Sequence, residues 1–171
     1  NYNYMDLTTY LENRLNSRVV IIDEPSKKNK ILLMTHLVAG YPSLDDNWKM
    51  LKAMGEADVD MVEIQMPFSE PTADGPLFVK ANQEALRSGV CWKHYFHLMK
   101  RASEEFDFPI FMMGYYNTVF KMGLEKFCKK IRKSGGEGFI IPDLPIEEYG
   151  ELFKHSHNES LSPIMLCTPT N

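Results

Sequence analysis

The chain has 171 residues, 44% of them hydrophobic and 25% charged, a balance that fits one folded domain with a true core and excludes a disordered polar chain. A net charge of -4 and a pI near 5.7 argue against a nucleic-acid-binding protein, which needs clustered Lys and Arg. Cys91, Cys128 and Cys167 lie far apart without C-x-x-C spacing, and no apolar run or basic leader suggests a membrane span or signal peptide; the expectation is a soluble protein of the reducing cytoplasm.

Leu7, Tyr10, Leu11 and Leu15 recur at helical spacing and predict an amphipathic helix over residues 5–15. Residues 16–30 read as a loop, with a short extra strand at Val19 to Ile22 and a solvated cluster of Lys27, Lys28 and Lys30. From residue 31 onward, apolar strands alternate with longer helical stretches, the pattern of repeated βα units. Ile31 to Leu37 is the first expected strand. Ser43, with Asp46 three residues on, caps a helix whose inner face is Leu44, Trp48, Leu51 and Met54. Val59 to Met66 is the second strand, followed by the longest polar loop, Pro67 to Pro76, then helices over residues 78–87 and 94–106. Phe108 to Met113 is strand three, and a helix facing inward through Leu124, Phe127, Cys128 and Ile131 ends at Ser134-Gly135-Gly136. Gly138 to Ile141 is strand four, a short helix carries Tyr149, Leu152 and Phe153, and Pro163 to Cys167 is strand five.

This alternation fits a doubly wound sheet or a barrel. The absence of a G-x-G-x-x-G or Walker sequence after any strand shifts the balance towards the barrel. In a barrel, chemistry sits at the C-terminal ends of the strands and in the loops beyond them. Glu63 is there, a carboxylate among apolar neighbours on strand two, partly dehydrated and so suited both to give and to take a proton. Asp74 lies in the following loop, held between prolines 67, 71 and 76. Taken singly, each carboxylate reads more simply as a strand-end or turn residue. His94 and His97 are one helical turn apart but lack a third ligand nearby, so no metal site is expected. Met50, Met54, Met112 and Met113 read as inward-facing fillers, and Lys126, Lys129, Lys130, Arg132 and Lys133 as one solvated helix face.

Read as a string, Glu63 to Pro76 is E-I-Q-M-P-F-S-E-P-T-A-D-G-P. It closely resembles the signature of tryptophan synthase alpha subunits: a glutamate, an apolar residue, usually glycine, an apolar residue, P-F-S-D-P, one variable residue and A-D-G-P. Ala39-Gly40 with Pro42, Tyr115-Tyr116-Asn117 and Ile141-Pro142-Asp143-Leu144-Pro145 match at three further strand ends in the same order, so the resemblance runs from about residue 31 to 171. Four positions depart from the pattern. Gln65 stands where glycine is usual, Glu70 replaces aspartate, Tyr41 replaces the aspartate of G-D-P, and His36 occupies a position usually aromatic and apolar. The passage over residues 16–30 is also longer than usual.

The resemblance implies an α/β fold, a (β/α)8 TIM barrel of which about the first five strands are present, in one domain over residues 1–171. The implied reaction is retro-aldol cleavage of indole-3-glycerol phosphate to indole and glyceraldehyde 3-phosphate, in tryptophan biosynthesis, without metal or organic cofactor. Glu63 would protonate the indole ring carbon and help remove the glycerol hydroxyl proton, and Asp74 would accept the indole N–H. Tyr115 and His36 would line the substrate pocket. The implied partner is a beta subunit carrying pyridoxal phosphate, in an alpha2-beta2 heterotetramer, with Tyr41, Glu70 and Asp143 as interface candidates. A complete member continues through three more strands, which bring a flexible loop and a glycine-rich phosphate site. The departures also leave a second expectation, an alpha-like subunit with little catalysis that binds and activates a beta subunit.

Overall fold

In a computed structural model that describes residues 7–17, 20–21, 28–29 and 31–166, the chain opens with α1 (Leu7–Ser17) and a short antiparallel pair, β1 (Val20–Ile21) with β2 (Lys28–Asn29). Then follow β3 (Met34–Val38), α2 (Leu44–Glu56), β4 (Met61–Gln65), α3 (Pro76–Arg87) and α4 (Trp92–Glu105). After them come β5 (Ile110–Met113), α5 (Tyr116–Met122), α6 (Leu124–Lys133), β6 (Gly136–Ile140), a single 3-10 turn, α7 (Gly150–Asn158) and β7 (Ser162–Ile164).

The five longer-range strands form one sheet in the order β3-β4-β5-β6-β7, every neighbouring pair parallel. A doubly wound sheet reverses its strand order at a switch point, whereas a βα barrel adds each strand beside the last. The unbroken sequential order therefore decides the choice that periodicity left open: this is a five-strand arc of a (β/α)8 barrel.

Side chains alternate across the strands, so the register separates two faces. The row Leu37, Ile64, Met112 and Phe139 is buried under the helices with Leu51 of α2, Tyr95 and Met99 of α4, Phe127 and Ile131 of α6 and Leu152 of α7. The rows that alternate with it, His36-Glu63-Phe111-Gly138 and Val38-Gln65-Met113-Ile140, share the opposite, concave face. Polar side chains on that face come only from β3 and β4 among these eight residues, which concentrates the chemistry at one end of the arc.

The helical stripes predicted for α2, α4 and α6 are the buried ones. Several bounds differ. The first long strand begins at Met34 rather than Ile31; Ile31 and Leu33 are about half exposed, and the Leu33 N–H donates to the Asp60 carboxylate at 2.7 Å. Strand five runs over Ser162–Ile164, and Cys167, where it was expected to end, lies outside the described residues. Met50 is exposed rather than inward, because it lies beside the buried stripe of Leu51 and not on it. α5 was not foreseen, being only seven residues long and ended by Gly123 at φ +91°. The predicted first helix began at residues 5 and 6, which lie outside the described residues, as do Val19, Ile22, Lys27 and Lys30.

α1 closes the N-terminal end of the arc. Arg14 Nε donates to Asp60 Oδ1 at 2.7 Å and Nη1 to Asp58 Oδ1 at 2.8 Å, while the Tyr10 hydroxyl donates to the Asp60 carbonyl at 3.2 Å. The opposite, C-terminal end carries the long loops.

Candidate active site

Two strand ends and one helix build the site. After β3 the chain turns through Gly40, whose φ of +86° favours glycine and where an added Cβ would run into a Val90 methyl. Asn47 of α2, fully buried, holds this turn. Its Oδ1 accepts from the Gly40 N–H at 2.5 Å, and its Nδ2 donates to the carbonyls of Val38 (3.1 Å) and Tyr41 (2.8 Å). After β4 the loop to α3 is held by Asn82. Its Oδ1 accepts from the Phe68 N–H at 2.8 Å, and its Nδ2 donates to the Phe78 carbonyl at 2.8 Å and to Asp74 Oδ2 at 3.3 Å. Tyr115, at the end of β5, accepts the Ala73 N–H on its phenol oxygen at 3.0 Å and stacks on Phe68 with centroids 5.2 Å apart. The loop bearing Asp74 is thus fixed from two sides, which is what a positioned carboxylate needs.

Glu63 and His36 are register partners on adjacent strands, and their side chains meet: His36 Nδ1 lies 2.9 Å from Glu63 Oε1. His36 Nε2 lies 3.0 Å from Gln65 Oε1, and Gln65 Nε2 donates to Asp74 Oδ2 at 2.7 Å. A continuous chain of hydrogen bonds, Glu63-His36-Gln65-Asp74-Asn82, therefore joins the two carboxylates singled out in the sequence. Glu63 keeps 15% and His36 23% of its side chain exposed, while Gln65 and Asn82 have none. The carboxylate and imidazole can reach a ligand; the amides behind them cannot. Phe78, itself exposed, meets His36 edge to face at 4.8 Å.

Burial, with the nearby charge of Asp74, pushes the Tyr115 phenol up to about 12, so it stays a neutral hydrogen-bonding group at ordinary pH. On the helix side of β4, the Tyr95 hydroxyl donates to the Ile64 carbonyl at 2.8 Å; burial raises it well above the usual tyrosine value and the Glu63 charge adds to that. Both phenols act as struts.

The other candidates scatter. Tyr41 is half-buried against Val38, Ala81 and Ala85, Glu70 is exposed on the loop rim, and Asp143 is exposed, its Oδ1 accepting from the Tyr116 N–H at 2.8 Å. An open cavity of about 630 Å³ lies beside Asp143, lined by Ala73, Pro142, Leu144 and Tyr149 among others. His94 accepts from the Cys91 N–H at 3.3 Å at the start of α4. Among the described residues no group of three or more His, Cys, Asp or Glu is placed to hold a metal ion, and no helix is long and apolar enough to cross a membrane.

Sequence reasoning missed Asn47 and Asn82. The signal it could have used was a polar residue on an inward stripe: Asn82 shares its helix face with Phe78, Ala81 and Ala85.

Residues 22–171 match the family described as tryptophan synthase alpha chain. Among curated proteins, the alpha chain of Syntrophotalea carbinolica is 43% identical over 139 residues, covering 81% of this chain and 55% of that one. The alpha chain of Desulfotalea psychrophila is 41% identical over 151 residues, covering 88% and 59%. Among solved structures, the tryptophan synthase subunit alpha from Legionella pneumophila superposes with a TM-score of 0.79 at 27% identity, covering 82% of this chain and 54% of that one. The chain thus spans somewhat more than half the length of the relatives it matches.

Proposed function

The chain belongs to the tryptophan synthase alpha chain family, and from that premise we propose that the full-length protein is a lyase cleaving indole-3-glycerol phosphate to indole and glyceraldehyde 3-phosphate. The observation that carries this reading is the meeting of Glu63 and Asp74 in one hydrogen-bonded chain at the C-terminal end of β4. The reaction needs a group that gives one proton to the indole ring carbon and takes another from the glycerol hydroxyl. Glu63, partly exposed on the concave face, fills that role. As the ring carbon is protonated, positive charge develops on the indole, and a fixed carboxylate stabilises it. Asp74 is such a carboxylate, held in place through its Oδ2 by Gln65 and Asn82, and it is the group proposed to accept the indole N–H. Tyr115 holds the loop on which Asp74 sits, and His36 and Phe78 line the mouth. Proton transfers of this kind ask nothing of a metal or organic cofactor in this subunit.

The bond between the indole carbon and the glycerol carbon breaks with its electron pair passing to the ring, the hydroxyl carbon becomes the aldehyde, and the hydroxyl proton passes to Glu63. A beta subunit carrying pyridoxal phosphate is the proposed receiver of indole in an alpha2-beta2 assembly, met through the exposed rim that holds Glu70 and Asp143. The setting is the cytoplasm.

Indole release from indole-3-glycerol phosphate by the full-length protein, with and without a beta subunit, tests the reading. Glu63→Gln should lower turnover by on the order of 100- to 1,000-fold while leaving beta-subunit activation intact. No turnover by the unaltered protein in either condition would overturn the lyase assignment and leave a subunit that only activates its partner.

A further inference from the structure

The chain between the two carboxylates fixes where its hydrogens are. Asp74 Oδ2 takes N–H donors from Gln65 and Asn82, as an ionised carboxylate does. The opposite setting of the Gln65 amide would put its oxygen 2.7 Å from that carboxylate oxygen, acceptor against acceptor, so the amide nitrogen faces Asp74 and the amide oxygen faces His36. An amide oxygen only accepts, and therefore His36 Nε2 carries a hydrogen. That leaves Nδ1, 2.9 Å from Glu63 Oε1. Either a Glu63 carboxylic acid donates to a bare Nδ1, or a protonated Nδ1 donates to a Glu63 carboxylate. Both arrangements hold one proton on the contact. Without it a nitrogen lone pair would face a carboxylate oxygen at hydrogen-bond distance. Gln65 is fully buried and cannot turn its amide to water.

We propose that His36 and Gln65 are a proton-positioning couple: ionised Asp74, acting through the Gln65 amide, sets the His36 tautomer and keeps on the His36-Glu63 contact the proton that Glu63 delivers. The role in delivery rests on the lyase reading above. In the cycle, the proton on the contact passes to the indole carbon, and the proton of the glycerol hydroxyl, released as its carbon becomes the aldehyde, passes to Glu63 and restores the contact. No proton is gained or lost overall. His36 and Gln65 act through Glu63 and are positioning residues. The residues that depart from the family string at positions 36 and 65 are thus one device, each meaningful only with the other. The titratable groups facing this chain among the described residues are Glu63 on β4, Tyr95 behind β4, Asp74 on the loop and Tyr115 at the end of β5.

The test uses the full-length protein and two variants, Gln65→Met, which keeps nearly the same volume without either polar group, and His36→Phe. Nitrogen-15 spectra of histidine-labelled protein report the tautomer directly; the signal lost in His36→Phe identifies His36 among the five histidines. The expected result is a hydrogen on Nε2 in the unaltered protein and a mixture of tautomers in Gln65→Met. Turnover should fall about 10- to 100-fold in either variant, with KM changed less than kcat and the pH profile displaced. The double variant should be no worse than His36→Phe alone, because the two act as a unit. A bare Nε2 in the unaltered protein, a tautomer indifferent to Gln65→Met, or folded variants with an unchanged pH profile would each overturn the couple. Absence of turnover in the unaltered protein would instead overturn the lyase reading and with it the delivery role, while the spectra still decide whether Asp74 sets the His36 tautomer.

Discussion

Asn82 is fully buried in α3 and meets two parts of the loop before it, the Phe68 N–H and the Asp74 carboxylate, as well as the Phe78 carbonyl in its own helix. Asn82→Leu keeps the volume but leaves the Phe68 N–H without an acceptor and Asp74 with one donor fewer. The expected cost is about 1–3 kcal/mol in chemical denaturation, with a weaker grip on the substrate's indole ring read as a raised KM. A variant with unaltered stability would show that water or a shifted backbone replaces the amide. The same scale explains what the sequence disclosed of the site. Glu63 and Asp74 were legible through one specific string, although each alone resembled a structural residue. The contact between His36 and Gln65 was not legible, because it depends on the register that sets His36 beside Glu63 and Val38 beside Gln65. A one-residue slip would turn these side chains to the other face, and composition cannot exclude such a slip.

At the scale of elements, α1 depends on a polar anchor more than on its apolar stripe, whose residues are only half-buried. Arg14 reaches Asp60, a carboxylate with no exposed side-chain surface, and Asp60 in turn accepts from the Leu33 N–H, so one cluster ties α1, the start of β3 and the start of β4 together. Arg14→Met would leave that buried charge without its guanidinium. The expected loss is on the order of 3 kcal/mol, with amide hydrogen exchange in α1 accelerated before that of β4 and β5. Uniform acceleration throughout the chain would show that α1 does not open as a separate unit. Helix positions were readable because their buried stripes repeat over ten residues or more, as in α2, α4 and α6. Strand starts were not, because an apolar residue just before a strand, such as Ile31 or Leu33, has the same composition as one within it. α5 is too short to show a period.

For the whole molecule, the strand order was the decisive feature that periodicity could not supply; it emerges only when each strand is seen to pair with the next. The closely packed layer between sheet and helices has a further consequence for pH. Tyr95, Tyr149 and Cys128 are buried there, and Tyr115 beside the concave face. Burial raises all four, Tyr115 and Cys128 to about 12. The unfolded chain would lose these protons near about pH 8.5 for cysteine and about pH 10 for tyrosine. Above those values the folded state holds more protons than the unfolded state, so stability falls as pH rises. The contribution is fully present below the unfolded values and is lost as pH climbs through the folded ones. Melting temperature should therefore be level with respect to these groups to about pH 8.5 and decline steeply from about pH 10. Tyr95→Phe, which starts from a lower melting temperature because the Ile64 carbonyl loses its donor, should decline less steeply over that range. A level melting temperature up to about pH 11 would show that these groups ionise without unfolding the core. Because this loss begins on the alkaline side, pH effects on turnover below about pH 8.5 do not arise from these groups unfolding the scaffold that holds the site.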